Sequence, residues 1–292
     1  MDAARECADR TDLGGGMMSG RSERLSVSVV VYRPDVAVLG RTLESLGVAC
    51  SETRKVRPGF AVDLFVVDNG GLPDIDRDLA ALDAAGIRPV IVSGQGNVGY
   101  GRGHNFAIER AGSDYHLVLN PDIDIERDAL TQALRFWDAH PDVGLLTPRI
   151  NDGDGHLQYL CRRYPTLLDL VVRGFMPARF RRFFSARLSR YEMRDLINDR
   201  DVVWDPPIVS GCFMLFRTAL LKRLGGFDPR YFLYFEDYDL SLRTHDLARV
   251  VYAPSVRVAH YGGGASRKGI AHIRMFAASA FKFFNRFGWK CL

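Results

Sequence analysis

The sequence predicts an α/β fold with a mostly parallel central sheet, helices on both faces, a helical basic insertion and a C-terminal helix. Three observations predict it. Short apolar, β-branched runs alternate with segments of helical period through the first half, the pattern of strand-helix-strand units. Several of these runs end in Asn, Asp or Gly, so polar groups gather at the strand ends where open α/β sheets bind ligands. A stretch rich in arginine and phenylalanine then breaks the pattern before it resumes.

Leu25 to Tyr32 reads as the first strand, and Pro34 and Asp35 mark the start of a helix over about Val36 to Leu46. Val62 to Val67 is a second strand ended by Asp68-Asn-Gly-Gly, Asp74 to Ala85 a helix, and Arg88 to Val92 a third short strand. His116 to Leu119 is an apolar run ending in Asn120-Pro-Asp-Ile-Asp124. Right-handed crossovers put Tyr32, Asp68, Ser93 and Asn120 on one edge. A helix over Asp128 to Ala139, a strand from Asp142 to Pro148 and a hairpin over Gly153 to Cys161 follow. Ile208 to Arg217 reads as a buried strand with Gly211 where backbone or ligand approaches closely, and Thr218 to Leu224 as a helix stopped by Gly225-Gly226. Glu236, Asp237 and Asp239 open a helix running to about His245, behind an aromatic patch. Val250 to Ala253 and Val256 to Ala259 are short strands with His260 directly after them, and Lys268 to Trp289 is helical.

At 292 residues and 47% hydrophobic, the chain holds one large α/β core with a small appendage. It divides into a leader, 1–24, two halves, 25–150 and 151–267, and a C-terminal amphipathic helix, 268–292. The leader is polar and lacks the apolar core of a signal peptide, so it is expected to be disordered. A formal charge of +4 is too weak to imply nucleic acid. The five cysteines show no Cys-x-x-Cys spacing, which argues against zinc and disulfides and for a cytoplasmic setting. No run is long enough to span a bilayer, so any membrane contact is peripheral. The insertion, 162–200, interleaves arginine with Phe175, Phe180, Phe183 and Phe184, a composition suited to an anionic membrane surface or a lipid-linked phosphate. A solvated insertion with a basic face would read the same way.

Oxygen ligands at a strand end suit a hard divalent cation, Mg²⁺ or Mn²⁺, gripping the phosphates of a nucleotide diphosphate. Asp122 or Asp124 capping the next helix would explain the same residues, as would capping for one of Glu236, Asp237 and Asp239. Gly94, Gly96 and Gly99 satisfy G-x-G-x-x-G, which would make the protein a nicotinamide- or flavin-dependent oxidoreductase. That fingerprint normally closes the first strand of its fold, where this chain has Tyr-Arg-Pro-Asp.

The ordered set VSVVVY with VVDNG, GNVGYGRGHN, LVLNPD, and VSGCFMLFR followed by GGFDPRYFLYFEDYDLSLR resembles the family 2 inverting glycosyltransferases, in particular their rhamnosyltransferase-like branch, from about Leu25 to Arg267. The resemblance implies a GT-A fold, a nucleotide-diphosphate-sugar donor and a divalent cation, with a nucleotide-sugar-binding first half and an acceptor-binding second half. It implies that Tyr32 lies beside the base, that Asp68 bonds its edge, and that Asn97, Gly99 and Asn105 frame the nucleotide. Asn120 and Asp122 match the family's Asp-x-Asp pair with Asn in the first place, leaving Asp122 as metal ligand, Asn120 as neutral contact and Asp124 as an extra ligand. Asp237 matches the catalytic base, Glu236 its partner, and His260 a third metal ligand. The activity implied is transfer of a sugar, L-rhamnose from dTDP-rhamnose, to a polysaccharide or polyprenyl-linked acceptor in cell-envelope biosynthesis, at the inner face of the membrane. A catalytically idle nucleotide-sugar-binding protein of the same fold is the non-enzymatic alternative.

Overall fold

A computed structural model describes residues 23–262 and 269–292; the leader expected over 1–24 therefore lies almost wholly outside the described residues. Four parallel strands build one half of the sheet: β1 (Arg24–Val31), β2 (Ala61–Asp68), β3 (Ile87–Val92) and β4 (Tyr115–Leu119). Between them run helices α1 (Val36–Val56), α2 (Asp76–Ala84) and α3 (Tyr100–Arg110). Asp35 caps α1 through a bond from Val38 N to its carboxylate, and the apolar face of α1 carries the helix on well past Leu46.

Beyond β4 come β5 (Ile123–Ile125), α4 (Ala129–Ala139), β6 (Val143–Asn151), β7 (Val203–Trp204), β8 (Phe213–Arg217) and β9 (Arg249–His260). The sheet order is β3-β2-β1-β4-β8-β6-β9-β5, with β7 beside β9. β8 runs antiparallel to both β4 and β6. Of the strand expected over 208–217 only Phe213–Arg217 forms one; Ile208 forms a single bridge to Arg162, and Gly211 lies in a turn against Asp237 and Tyr100. The two late strands expected at 250–259 are one strand, β9, whose register shifts against β6 after Pro148.

A buried polar ladder runs through the otherwise mostly apolar first strands. Ser26 Oγ lies 2.6 Å from His116 Nδ1, and Ser28 Oγ lies 2.9 Å from His116 Nε2 and 2.7 Å from His104 Nδ1. Both imidazoles are fully buried, and burial pushes His116 down to about 3, so the ladder is neutral.

The basic insertion is helical, as its period predicts: α5 (Leu167–Phe175), α6 (Ala178–Arg181), a 3₁₀ turn and α7 (Ser185–Tyr191). A capping box between Thr166 and Asp169 starts α5, and Arg187 binds both residues. The remaining helices are α8 (Thr218–Arg223), α9 (Glu236–Thr244) and α10 (Ile270–Phe287). α10 buries Phe283 and Phe284 against Tyr231, Phe235 and Leu170. One face of the C-terminal helix is thus core; Ile270, Ile273 and Phe281 on it stay exposed.

Candidate active site

The carboxyl ends of β1, β2 and β4 meet the amino end of α9, and two groups of side chains assemble there. At the outer end, Asp68 Oδ1 accepts from Gly70 N (2.7 Å) and Leu72 N (3.3 Å), a turn that lays Gly70 against the Tyr32 ring. Tyr32 is half exposed beyond β1. Asn97 accepts from Gly99 N, and Gly99 O accepts from Asn69 Nδ2 at 2.9 Å. Gly99 has φ 92°, and a Cβ there would collide with Phe232 O, which already accepts from Tyr100 N. The glycine loop thus carries the aromatic loop of residues 231–235 on its backbone. Asn105, expected to frame the nucleotide, is placed otherwise: its amide gives to Phe227 O (2.8 Å) and takes from Phe227 N (2.9 Å). Both ends of that side chain are spent stapling α3 to the loop after α8.

The inner group surrounds a cavity of about 350 Å³ lined by Tyr100, Asn120, Arg162, Glu236, Asp237 and His260, with an apolar wall of Leu170 and Phe276. β5 explains how His260 arrives. Its three residues pair antiparallel with the end of β9, Ile123 opposite His260, and Tyr261 N donates to Asp122 O at 3.0 Å. Asp122 and His260 are therefore neighbours across a ladder, with His260 Nε2 3.5 Å from Asp122 Oδ1. Gln158 Nε2 donates to His260 O (3.3 Å), which turns Gln158 Oε1 toward His260 Nδ1 at 3.0 Å. With Gln158 Oε1 accepting from Nδ1–H, the neutral ring would present its Nε2 lone pair to the carboxylate. Asp122 Oδ1 is buried with no hydrogen-bond partner. At this partly buried pair a carboxylate and a neutral imidazole would be a donor set suited to Mn²⁺ or Mg²⁺.

Asp124 is not brought into this cavity. In β5 it faces Arg41 of α1 and the Tyr261 hydroxyl; burial raises its carboxyl while Arg41 and Tyr261 oppose the rise. A second acidic group, Asp152, Asp154 and His156, sits exposed in the hairpin after β6, with Asp152 Oδ1 already accepting from Asp154 N and His156 N.

Across the cavity stand the acids of α9. Tyr234 and Phe235 both adopt left-handed backbone, φ 70° and 66°, immediately before the helix. Non-glycine residues hold that conformation at a cost, and here Phe235 is fixed among Tyr238, Phe276 and Phe283. Asp237 Oδ2 accepts from Gly211 N (3.0 Å), and its Oδ1 from Tyr238 N (2.9 Å). A Cβ at Gly211 would stand 3.2 Å from that of Asp237. Burial raises the Asp237 carboxyl, and the backbone donors and then the charge of Arg162 pull it back. Glu236 has no such donors for Oε2, and burial followed by the Asp237 charge pushes it up to about 8. Of the two, Glu236 is the carboxyl that burial and its neighbour's charge favour in the protonated form, and Asp237 is the one its backbone donors favour as the carboxylate. Asp239 is separate: it is fully buried in an ion cluster with Arg243 (2.5 Å) and Arg286 (2.8 Å).

Sequence reasoning did not single out Tyr100 or Arg162. Tyr100 lies between two glycines, and its hydroxyl sits 2.6 Å from Gly211 O and 2.9 Å from Asn120 Oδ1, joining the two sides of the cavity. Arg162 opened a run of arginines, and nothing local distinguishes it from the solvated ones.

Residues 26–225, more than half of the chain, match the family described as Glycosyl transferase family 2. The chain belongs to glycosyl transferase family 2. It is 30% identical over 286 residues to N-acetylglucosaminyl-diphospho-decaprenol L-rhamnosyltransferase of Mycobacterium tuberculosis (strain ATCC 25618 / H37Rv), spanning 91% of this chain and 86% of that protein. It is also 30% identical to rhamnosyltransferase WbbL of Escherichia coli (strain K12), over 65% of this chain and 72% of that one. Among solved structures it is similar to S. aureus TarS in complex with UDP, with TM-score 0.52, 17% identity, and cover of 90% of this chain and 66% of TarS 1–349. It is similar too to the mannosyltransferase PcManGT of Pyrobaculum calidifontis in complex with GDP-Man and Mn²⁺, at TM-score 0.55 and 17% identity, over 90% of this chain and 65% of that one. These likenesses establish the GT-A fold. Membership of a glycosyltransferase family displaces the dinucleotide reading of Gly94, Gly96 and Gly99. Among the described residues, no helix is long and apolar enough to cross a membrane.

Proposed function

We propose that this family 2 chain is an inverting glycosyltransferase that moves L-rhamnose from dTDP-rhamnose to a sugar carried on a polyprenyl diphosphate. The observation that carries the reading is the convergence of Asn120, His260, Glu236 and Asp237 around one cavity, with Asp122 3.5 Å from His260. The names of the relatives from M. tuberculosis and E. coli support the sugar, and the former supports the lipid-linked acceptor.

An inverting transfer needs a base on the face of the sugar opposite the leaving group. In this reading Asp237, ionised and held by Gly211 N and Tyr238 N, takes the proton of the acceptor hydroxyl as that oxygen attacks the anomeric carbon. Protonated Glu236 offers an O–H to the acceptor and adds no second charge beside the base. Asp122 and His260 would hold a divalent cation, which when bound neutralises the departing diphosphate. Tyr32 and Asp68 would take the base, with both turn bonds of Asp68 on Oδ1. The backbone at Asn97 and Gly99 would border the nucleotide, and Asn120 would contact the diphosphate as a neutral group. An anionic membrane surface is the expected docking partner for the exposed Phe175, Phe180 and Phe183 among Arg179, Arg181 and Arg182.

The test is a panel of nucleotide sugars incubated with the protein, Mg²⁺ or Mn²⁺, and a lipid-diphosphate-linked N-acetylglucosamine acceptor. Release of dTDP from dTDP-rhamnose with formation of an inverted glycosidic bond is expected. Transfer from a different donor would overturn the donor assignment, and no consumption of any donor would favour the idle binding protein.

A further inference from the structure

The cavity contains a buried guanidinium that forms no ion pair among the described residues, although its charge reaches the Asp237 carboxyl and lowers it. Arg162 is only 4% exposed, and its backbone is fixed by paired bonds with Ile208, 2.8 Å and 3.1 Å. Its guanidinium rests over the Tyr191 ring at 5.8 Å, and Nη1 donates to Cys161 O at 2.9 Å. No other hydrogen bond of the guanidinium, and no carboxylate within ion-pair distance, is present among the described residues. A guanidinium has five N–H donors, and burying one with a single hydrogen bond and no ion pair costs free energy, which an anion entering the cavity would recover. Arg162 nevertheless lines the cavity, on the wall that also holds Asp237.

Arg173 of α5 adds a second positive group at the same wall. Among the described residues its carboxylate partner is Glu192, at 3.4 Å, which Arg194 also engages at 2.7 Å. Two guanidiniums share one carboxylate, which leaves positive charge unbalanced at the cavity mouth. Next to it the wall turns apolar: Leu170 and Phe276 line the cavity, and Phe276 meets Phe175, half exposed, at 6.3 Å between ring centres.

We propose that Arg162 and Arg173 form an anion subsite for the acceptor, taking the diphosphate that joins its sugar to an apolar chain, with that chain leaving past Phe276 and Phe175. The inference deepens the proposed function and rests on it. The arrangement fits such a ligand in order: an alcohol at Asp237, phosphate oxygens at a planar fork suited to bidentate binding, then hydrocarbon. The competing source of phosphate is the nucleotide donor, whose diphosphate would lie by Asp122 and His260.

Titration calorimetry of geranyl diphosphate into the full-length protein, already saturated with dTDP and Mn²⁺, separates these sources. The wild type is expected to bind at one site. Arg162→Gln and Arg173→Gln are each expected to weaken binding about tenfold or more, and Arg162→Lys, which keeps charge but not the fork, less than Arg162→Gln. Geraniol, lacking phosphate, should show no dependence on either arginine. Each variant is first matched to the wild type in thermal midpoint, and Arg173→Gln, at the rim, serves should Arg162→Gln fail to fold. Unchanged affinity in the folded variants, or binding abolished by dTDP, would overturn the subsite. Failure of every nucleotide sugar to react would instead remove the transferase reading, because the titration needs no turnover.

Discussion

Tyr100 has one phenolic hydrogen and two acceptors in reach, Gly211 O at 2.6 Å and Asn120 Oδ1 at 2.9 Å. The carbonyl can only accept, so the hydrogen belongs there. Turning the Asn120 amide over exchanges two atoms of similar size, lets its NH₂ donate to the phenol, and aims Oδ1 into the cavity. This accounts for Asn in a place where related motifs have Asp: a carboxylate would set oxygen against oxygen. Tyr100→Phe should therefore weaken dTDP binding in the presence of Mn²⁺ by about tenfold or less, the scale of one neutral hydrogen bond. Asn120→Asp in that background should recover it, because a carboxylate offers oxygen either way; a double variant no better than Tyr100→Phe would contradict the orientation. Glu236 gives a second residue-scale prediction. Its folded carboxyl is raised to about 8 from the ordinary 4.5, so between those values the folded state holds a proton that the unfolded chain has released. Stability then falls as pH rises through that window. His116, lowered to about 3 from 6.5, acts oppositely: the unfolded chain binds a proton the folded state refuses, and stability is lost as pH falls from about 6.5 toward 3. Thermal midpoints measured from about pH 5 to 8 should decline at the alkaline end for the wild type and flatten there for Glu236→Gln. A decline of equal slope in Glu236→Gln would rule out this assignment.

Among the elements, α10 bears most on the site although it supplies no acid. Ser279 Oγ donates to Leu233 O (2.8 Å), Lys282 Nζ to Arg230 O (2.6 Å), and Arg286 bonds Asp228 (2.7 Å) and Asp239 (2.8 Å). These contacts hold the loop whose left-handed residues aim Glu236 and Asp237. Phe283, fully buried under Phe235, is the centre of that packing. Phe283→Ala should cost about 3–5 kcal/mol and release the loop. Chemical denaturation reads the first effect and loss of transfer the second; an active variant with near-wild-type stability would show that the loop is held elsewhere. The strand-helix alternation through β4 was legible because period and β-branching are local. β5 was not. Three residues carry no period, and the pairing that sets His260 beside Asp122 spans more than a hundred positions, so only a resemblance, not the residues, pointed at that histidine. The same reason hid Asp124's turn toward Arg41 and the stapling role of Asn105, since both partners are distant in sequence.

For the molecule as a whole, the sheet gathers its polar strand ends at one edge and the insertion and α10 raise an apolar, basic rim beside them. Phe183, 71% exposed, and Phe180 stand among three exposed arginines. Sedimentation with vesicles should show binding that requires anionic lipid, weakens with salt, and falls in a Phe180→Ser/Phe183→Ser variant; equal binding to neutral vesicles would contradict an electrostatic contact. Composition made this rim legible, whereas the buried guanidinium of Arg162 was not, because burial is a property of the folded chain. The convergence of two distant acidic groups on one cavity remains the centre of the account, and Asp237→Asn tests it most directly. That variant keeps the side chain's shape and removes its basicity. Transfer should fall by about 10²-fold or more while dTDP affinity stays within about twofold of the wild type. Turnover within a few-fold of the wild type would contradict the role of Asp237 as the base.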